Sequence, residues 1–329
     1  MSGIIFSMST PPSGLTWDQI EAARARIMGR VHRTPVMTSQ TLDSQSGGQL
    51  FFKCENLQKG GAFKARGATN AVFSLSDAEA RNGVATHSSG NHAAALARAA
   101  KLRGIPAHIV MPNNAPKTKQ AAVRRYGGQI VFCEPTLQAR ESTVERVMAE
   151  TGATLIHPYD DLRVMAGQAT TGVELLEDVP DLDMILCPVG GGGHLSGIAV
   201  AVKTLKPAVR VIGVEPAGAD DAARSFRSGQ IEPMPNPKTI ADGLRTSLGK
   251  KPFAEIRRYV DDIVTVSEES IITGMRQIWE VMKIIVEPSG AVPYAAVMSA
   301  KLDTSGKKTG IILSGGNLDL DHYPWISAS

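Results

Sequence analysis

The stretch Lys59-Gly60-Gly61-Ala62-Phe63-Lys64-Ala65-Arg66-Gly67 follows a strand-like apolar run at residues 50–54 and leads into a helical pattern over residues 65–80. Its two consecutive glycines permit a sharp turn, so we predict a strand, a turn and a helix in that order. Lys64 then stands at the start of the helix, where the helix dipole and the loss of hydration both favour a neutral amine. A neutral lysine is the nucleophile that a Schiff base requires. Taken alone, however, the stretch is better explained by an ordinary solvated lysine.

The composition is that of a globular protein without a strongly charged partner. Of the 329 residues, 43% are hydrophobic and 20% are charged, and the net charge is +3. This charge is too small to indicate nucleic acid or a membrane surface as a partner, and no apolar run reaches the roughly 20 residues of a membrane helix. Residues 1–13 lack the basic and apolar regions of a secretory signal. The scattered Cys54, Cys133 and Cys187 predict buried thiols in a reducing, cytoplasmic compartment.

Strands and helices alternate along most of the chain. Runs typical of strands occupy residues 84–88, 107–111, 129–133, 154–157, 184–189, 209–214, 263–266 and 309–313. Helical patterns occupy residues 18–30, 92–103, 117–126, 137–150, 164–176, 195–205, 268–283 and 291–301. Gly104, Gly127 and Gly152 stand just past helix ends, as C-terminal caps do. This alternation predicts an α/β fold in which helices cover both faces of parallel sheets.

Four loops that follow strands are rich in glycine or small polar residues, and ligands of open α/β sheets bind at such strand ends. The first is the lysine stretch. The second, Ser88-Ser89-Gly90-Asn91-His92, offers hydroxyl and N–H groups that suit a carboxylate at a helix N-terminus. The same residues would also form a plain helix cap, and the sequence does not separate the two explanations. The fourth loop, Ser314-Gly315-Gly316-Asn317, is either another strand-end site or a simple turn.

The third loop, Gly190-Gly191-Gly192-Gly193-His194, leaves backbone N–H groups unobstructed ahead of a helix. It predicts a site for an anion such as phosphate. A dinucleotide site is the rival interpretation, because Gly191, Gly193 and Gly197 approximate the fingerprint spacing and Glu215 follows about 20 residues later. That interpretation would make the protein an NAD-dependent dehydrogenase, and a non-catalytic ligand-binding protein is the remaining alternative.

The segment Glu215-Pro216-Ala217-Gly218-Ala219-Asp220-Asp221 carries carboxylates on both sides of a turn. Carboxylate and carbonyl oxygens of this kind can hold a hard divalent cation. Acidic residues also stabilise a helix N-terminus. On spacing alone, the helix explanation is preferred.

The loops taken together resemble the fold-type II pyridoxal phosphate enzymes, in the branch of serine racemases and serine/threonine dehydratases. The resemblance extends from Trp17 to about Asp321. It is carried by Phe52-Lys53-Cys54-Glu55, Phe63-Lys64-Ala65-Arg66-Gly67 and the second, third and fourth loops. It implies two open, twisted, mostly parallel sheets with the active site between two domains. The large domain would comprise residues 1–82 plus 160–329, and the small inserted domain residues 83–159.

The resemblance also implies a role for each loop. Lys64 would form the Schiff base with pyridoxal phosphate and act as general base, and Ser89 would be a second acid or base on the opposite face. The implied cofactor contacts are Gly190, Gly191, Gly192 and Gly193 for the phosphate, Asn91 for the ring hydroxyl, Ser314 for the ring nitrogen, and Gly243. The implied substrate carboxylate contacts are Ser88, Ser89, Gly90, Asn91 and His92. Glu215, the Ala219 carbonyl and Asp221 match the family's divalent cation site for Mg²⁺, with Mn²⁺ or Ca²⁺ as alternatives, which reverses the preference drawn from spacing.

The chemistry implied is β-elimination from a small hydroxy amino acid. A hydroxyl such as that of Ser314 does not keep the ring nitrogen protonated, so the ring is a weaker electron sink and elimination is favoured over a long-lived carbanion. The segment His157-Pro158-Tyr159-Asp160-Asp161 and the tail at residues 317–325 look most like microbial hydroxyaspartate dehydratases. We therefore predict a 3-hydroxyaspartate ammonia-lyase, with serine racemase and dehydratase activity as the alternative.

A dicarboxylic substrate needs a cation or several hydrogen-bond donors for its second carboxylate. Arg140 and Arg163 are the candidates, although a solvated helix arginine is the preferred explanation for each. Tyr159 stands where animal serine racemases have asparagine, which weakens a racemase assignment. The family resemblance further implies a homodimer.

Overall fold

The computed structural model describes residues 14–321 and 324–325, and it has the predicted α/β architecture. The strands are β1 (Val36–Met37), β2 (Gln49–Cys54), β3 (Val84–His87), β4 (Ala107–Pro112), β5 (Gln129–Cys133), β6 (Thr154–Leu155), β7 (Met184–Pro188), β8 (Arg210–Pro216), β9 (Asp262–Val266) and β10 (Lys308–Leu313). The helices are α1 (Trp17–Ile27), α2 (Gln40–Ser46), α3 (Lys64–Ser74), α4 (Asp77–Ala80), α5 (Asn91–Arg103), α6 (Lys117–Arg125), α7 (Leu137–Thr151), α8 (Leu162–Asp178), α9 (Gly193–Leu205), α10 (Asp221–Ser228), α11 (Lys250–Tyr259), α12 (Glu268–Gln277) and α13 (Pro288–Met298). Residues 1–13, and residues 322–323 of the tail, lie outside the described residues.

Two sheets organise the molecule. The larger sheet has the strand order β1-β2-β10-β7-β8-β9, in which only β1 against β2 is antiparallel. The smaller sheet has the order β5-β4-β3-β6 and is parallel throughout. Its strands come from one segment of the chain, whereas the larger sheet takes strands from both sides of that segment. The domain division at residues 83 and 159 remains a proposal.

Local signals in the sequence set several helix ends. Thr16 and Gln19 form the predicted capping box at the start of α1, and Gly104 and Gly152 end α5 and α7 in the left-handed conformation with φ of 74° and 71°. In the part of the chain that the structure describes, no helix is both long and apolar enough to cross a bilayer.

The structure corrects two predicted helices. The helix predicted over residues 65–80 is interrupted, because Leu75 is extended (φ −63°, ψ 142°) and Ser76 begins α4 with a capping box to Glu79. Ser-x-x-Glu is a start signal for a helix, and here it competes with continuation of the preceding one. The helix predicted over residues 268–283 leaves α-geometry after α12 and finishes as a π-turn at Ile278–Met282.

A buried ionic network lies beneath the N-terminal turn of α3. Arg66 is 0% exposed, and it donates to Glu55 through Nε and Nη2 at 2.8 Å each and to Glu174 through Nη1 and Nη2 at 2.7 Å each. Lys53, also fully buried, donates to Glu174 at 2.8 Å. Burial alone would raise the pKa of Glu55, but the Arg66 guanidinium outweighs it and holds that pKa below its ordinary value. The network therefore anchors the helix that begins at Lys64.

Candidate active site

A cavity of about 210 Å³ opens where the carboxyl ends of β2, β3, β7 and β10 meet. The sequence-predicted residues that line it are Lys64, Ser88, Ser89, Gly90, Asn91, His92, Gly190, Gly191, Gly192, Gly193, Gly243 and Ser314. The three residues predicted for a cation, Glu215, Ala219 and Asp221, do not line it. The structure thus brings the four loops to one place, as parallel strands that end at a common edge should.

Lys64 is the first residue of α3, and its amine faces few polar groups. Nζ donates one hydrogen bond, 2.8 Å long, to the carbonyl oxygen of Pro158. Burial lowers the pKa of Lys64 to about 8, because a low-dielectric surrounding disfavours the ammonium form. A large fraction of this lysine is therefore neutral near pH 8, as a nucleophile or a general base requires.

Phe63 joins the lysine stretch to two other loops. Its N–H donates to the Ser314 carbonyl oxygen at 3.0 Å, and its ring stacks on His194 with a centroid separation of 3.8 Å and an angle of 3°. Burial, and then the charge of Lys64, hold the pKa of His194 well below its ordinary value, so its ring is neutral. These contacts fix the beginnings of α3 and α9 relative to each other.

The second loop is not a plain Ser/Asn cap. The N-cap position of α5 is Gly90, and no side chain caps the helix. Ser88 Oγ accepts from the Gly90 N–H at 3.3 Å, which tightens the turn. Because the first N–H groups of a helix have no intrahelical partner, the start of α5 offers donors to the cavity. This geometry suits an anion.

His92 is buried beneath that loop. Its Nε2 lies 3.3 Å from the Ile156 carbonyl oxygen, and Nδ1 has no partner among the described residues. Burial is the main cause that holds its pKa well below the ordinary value, and the Lys64 charge adds to it. A carbonyl partner assigns the proton to Nε2, so Nδ1 is an acceptor. The imidazole therefore cannot grip a carboxylate, and only the backbone of His92 can contribute to such a site.

The glycine loop leaves no space for side chains. A Cβ on Gly191 would lie 2.3 Å from Cγ of Tyr159, and one on Gly193 would lie 2.8 Å from the Tyr159 carbonyl oxygen. Gly192 has φ of +85°, a left-handed conformation that L side chains rarely adopt. The chain therefore presents a bare backbone at the start of α9, and such a turn at a helix N-terminus fits a phosphate.

Tyr159 packs directly against the glycine loop, at Gly191 and Gly193. Its hydroxyl pairs with Thr246 Oγ1 at 2.9 Å, and the ring of His157 meets it edge-on at 4.6 Å. Burial raises the pKa of Tyr159, so the phenol is protonated. The sequence marked this tyrosine only as a departure from the animal racemases, and its contact with the loop was not predicted.

The dinucleotide interpretation of the glycine loop is wrong. It needs Glu215 to bind a ribose, but Glu215 is 0% exposed and accepts from the N–H groups of Ala222 and Ala223 at 3.2 and 2.8 Å. Gly197 serves helix packing, since a Cβ there would lie 2.6 Å from the Met165 carbonyl oxygen. Neither residue is available to a cofactor.

One residue that the sequence analysis missed is Glu287, which lines the cavity beside Asn91. Its carboxylate accepts from Asn91 Nδ2 at 2.9 and 3.3 Å and from the Asn317 N–H at 3.0 Å. Burial, with a smaller contribution from the Asp242 charge, raises the pKa of Glu287 to about 8. A carboxylate directly before Pro288, at the start of an apolar helix, was the available signal in the sequence.

Gly243 and Ser314 complete the wall of the cavity. The Gly243 N–H donates to Ser289 Oγ at 3.0 Å, and Ser314 is 2% exposed at the end of β10. Ser314 accepts through its backbone carbonyl from Phe63, as described above, which leaves its side chain as the cavity-lining group.

The acidic segment forms a separate, buried cluster at the end of β8. Burial is the main cause that raises the pKa of Glu215 well above its ordinary value, and the Asp221 charge adds to it; burial raises the pKa of Asp221 to about 6. Asp221 Oδ2 accepts from the Leu248 N–H at 2.8 Å, while Oδ1 has no partner among the described residues. In the described chain, no group of three or more His, Cys, Asp or Glu side chains forms a metal site. Two carboxylates, one with an unsatisfied oxygen, together with the Ala219 carbonyl are nevertheless donors that a hard cation accepts.

The structure separates the two candidate arginines. Arg163 is committed to Asp161, with Nη2 2.7 Å from Oδ2, and it does not line the cavity. Arg140, near the start of α7, is half-buried, lines the cavity and forms no ion pair with any described residue. The ion pair with Asp161 accounts for Arg163 without a substrate, whereas Arg140 remains a candidate for the second carboxylate.

Comparisons with known proteins agree with this geometry. The family model of the pyridoxal-phosphate dependent enzymes matches residues 27–315. The chain is 50% identical to a beta-hydroxyaspartate dehydratase of Paracoccus denitrificans, over 94% of this chain and 98% of that protein. It is 53% identical to a serine racemase of Arabidopsis thaliana, over 92% of each chain. The structure of maize serine racemase superposes with a TM-score of 0.92 at 49% identity, covering 94% of this chain and 95% of that chain.

Proposed function

The chain belongs to the pyridoxal-phosphate dependent enzymes, and we propose that it eliminates water from 3-hydroxyaspartate to give iminosuccinate, which hydrolyses to oxaloacetate and ammonia. The observation that carries the proposal is that one cavity contains Lys64 with a lowered pKa, the bare glycine turn, and Arg140, which forms no ion pair with any described residue. The identity to the Paracoccus dehydratase supports the choice of substrate.

The residues present fit the cofactor. When bound, pyridoxal phosphate supplies an electron sink conjugated to the substrate amine. The backbone of Gly190–Gly193 would hold its phosphate, Asn91 its ring hydroxyl and Ser314 its ring nitrogen, with Gly243 packed beside the ring. The second loop, Ser88 to His92, which leads into α5, would bind the substrate α-carboxylate through N–H and hydroxyl groups.

Lys64 performs the proton chemistry in this proposal. Its amine would hold the cofactor, and in the presence of substrate it would take the proton from the substrate Cα. Burial lowers the pKa of Lys64 to about 8 and so favours the neutral amine that accepts this proton. The hydroxyl on Cβ then leaves with a proton as water.

The lysine assignment is tested with Lys64→Ala, with Lys59→Ala as the matched control, because Lys59 is exposed in the same stretch. The purified parent and the control should be yellow with pyridoxal phosphate, and Lys64→Ala should lose both the visible band and activity. A colourless parent that gains no band on addition of the cofactor contradicts the proposal.

The substrate assignment is tested at Arg140. We propose that Arg140 binds the second carboxylate, so Arg140→Met should raise the KM for hydroxyaspartate by roughly ten- to a hundredfold, the worth of one charge-assisted hydrogen bond. Any activity with L-serine, which has no second carboxylate, should be unchanged. Arg146→Met is the control, since Arg146 lies on the same helix but pairs with Glu150 on the surface. If L-serine or L-threonine has a higher kcat/KM than all four hydroxyaspartate stereoisomers in the parent, the substrate assignment is wrong.

Serine racemase with L-serine and L-threonine dehydratase activity is the second candidate, supported by the identity to the Arabidopsis enzyme and by Ser89 in the cavity. A second acid or base on the other face of the cofactor would allow reprotonation there. Ser89→Ala should then abolish racemisation and preserve elimination. Equal loss of both activities in this variant contradicts that role.

We also propose a structural divalent cation, Mg²⁺ or alternatively Mn²⁺ or Ca²⁺, bound by Glu215, Asp221 and the Ala219 carbonyl. Calorimetric titration should show Mg²⁺ binding to the parent and none to Asp221→Asn. Equal binding by the two proteins excludes this site. We further expect a cytoplasmic homodimer, which light scattering of the purified protein checks for the oligomer.

A further inference from the structure

Glu287 is a buried carboxyl at the wall of the cavity. It is 3% exposed and occupies the N-cap position of α13. A Cβ on Gly315 would lie 2.5 Å from its Oε1, which shows how closely the last loop encloses it. The proton chemistry described above does not use this group.

The hydrogen bonds around Glu287 form a chain whose direction is fixed at one end. The Gly60 carbonyl can only accept, and it takes a 2.7 Å bond from Asn317 Nδ2. The same Nδ2 also donates to Asn91 Oδ1 at 3.0 Å, so the amide of Asn91 must turn its oxygen towards Asn317. Its Nδ2 therefore faces Glu287, at 2.9 Å from Oε1. Nδ2 also lies 3.3 Å from Oε2, and one N–H that points between the two carboxylate oxygens serves both. An NH₂ group has two protons, so the second one of Asn91 is left for another acceptor.

This arrangement requires Glu287 to be ionised. The Asn317 backbone N–H is a fixed donor to Oε2 at 3.0 Å, and the Asn91 NH₂ faces both oxygens, so a proton on either oxygen would compete with a donor that is already there. Two donors would then meet. Reversal of the Asn91 amide would relieve that clash but would set its NH₂ against Asn317 Nδ2, another donor. Protonation therefore disrupts the chain wherever the proton is placed.

The surroundings bring this protonation into the working range of pH. Burial, and then the charge of Asp242, raise the pKa of Glu287 to about 8, while Lys119, which pairs with Asp242, acts in the opposite direction. Lys64 is a further charged group that lines the same cavity. Near neutral pH, a large fraction of Glu287 is thus protonated in the empty protein.

We propose that Glu287 is a positioning residue whose ionised carboxylate holds the Asn91 amide so that its second N–H points to the ring hydroxyl of the cofactor. This inference rests on the proposed function, because it takes that hydroxyl as the acceptor. Only the ionised form presents a donor there, while the protonated form presents a reversed or mobile amide. Affinity for the ring should therefore rise with pH until Glu287 is ionised.

Binding of 4′-deoxypyridoxine 5′-phosphate tests the proposal without Schiff-base chemistry, since this compound keeps the ring hydroxyl and the phosphate but has no aldehyde. Calorimetry on the apoprotein from pH 6.5 to 9.5 should show that the Kd falls with rising pH and levels off above about 8. Glu287→Gln should bind roughly tenfold more weakly at pH 9, which is the worth of one hydrogen bond. Its Kd should not fall with rising pH. Glu255→Gln is the matched control, because Glu255 is equally buried but caps the Leu15 N–H away from the cavity. It should keep the parent profile.

A Glu287→Gln profile that parallels the parent overturns the proposal. If that variant does not fold, the pH dependence of binding is measured on Asn317→Ala instead. Without the Asn317 amide, the reversed Asn91 is tolerated and the protonated form of Glu287 becomes easier to reach, so the midpoint of the pH profile should move upward. An unchanged midpoint overturns the proposal. Failure of the parent to bind pyridoxal phosphate itself would instead refute the proposed function, which keeps the two failures distinct.

Discussion

Removal of the Arg66 guanidinium should strongly destabilise the protein. Arg66→Met preserves most of the side-chain volume but leaves Glu55 as a fully buried carboxylate without its cation. Loss of one partner of a buried ion pair costs about 3–5 kcal/mol. The double variant Glu55→Gln/Arg66→Met removes both charges and should recover more than half of that loss.

The loss should depend on pH in a defined direction. In the parent, Arg66 holds the pKa of Glu55 below its ordinary value, so this carboxylate contributes stability above its unfolded pKa and loses it as pH falls through the folded pKa. In Arg66→Met, burial acts against only the Thr34 hydrogen bond and the Lys53 charge, and it should raise the folded pKa of Glu55. The carboxyl is then tolerated while protonated, and stability falls as pH rises. The difference between variant and parent should therefore be smaller at pH 5 than at pH 8.

Urea unfolding of the apoproteins, followed by circular dichroism at pH 5 and pH 8, measures both effects. Arg24→Met is a matched control, because Arg24 pairs with Glu177 at the surface and exposed pairs contribute about 0–1 kcal/mol. A loss below about 1 kcal/mol for Arg66→Met at pH 8 would refute the reasoning, since it would place the network at the level of a surface pair.

Three further predictions concern the cavity and the acidic cluster. Gly191→Ala should weaken pyridoxal phosphate binding at least a hundredfold, because its Cβ would lie 2.3 Å from Cγ of Tyr159; fluorescence titration measures this, and an unchanged Kd contradicts it. The rate at which the apoprotein captures pyridoxal phosphate should rise with pH and level off above about 8, because only neutral Lys64 attacks; a rate that stays flat in stopped-flow absorbance contradicts it. Without divalent cations, stability should fall as pH rises through about 6, where Asp221 ionises against its raised pKa, and Mg²⁺ should reverse the fall. Thermal unfolding with EDTA or Mg²⁺ checks this, and Asp221→Asn should respond to neither.

The parts of the site that follow from local sequence were predictable. Buried parallel strands appear in the sequence as apolar runs. A glycine run between such a strand and a helix indicates an anion site at the helix N-terminus, so the role of residues 190–193 could be predicted from the sequence. The position of Lys64 followed in the same way, from two glycines between a strand and a helix. Each of these features depends on a short window of the chain.

The rest depends on contacts between distant parts of the chain. Glu287 meets Asn91 across 196 positions of sequence, and no local pattern reports such a contact. Arg140 and Arg163 look alike in sequence, and they are distinguished by the fold, which places Arg140 in the wall of the cavity and Arg163 outside it. The break at Leu75 was missed for a different reason, since Ser76 and Glu79 carry a start signal inside an otherwise continuous helical pattern.

The strand order of the larger sheet has a consequence for how the enzyme is made. β10, at residues 308–313, lies between β2 and β7. The β1-β2 pair and the β7-β8-β9 group are synthesised earlier, and they cannot join into one sheet until β10 is available. Pairing of β10 with β2 closes a loop of more than 250 residues, and such non-local pairing slows folding. The lysine loop gains its contact with Ser314 in the same event. The nascent chain therefore cannot capture its cofactor at a finished site while synthesis is in progress, and maturation of the enzyme is a step that follows translation of β10.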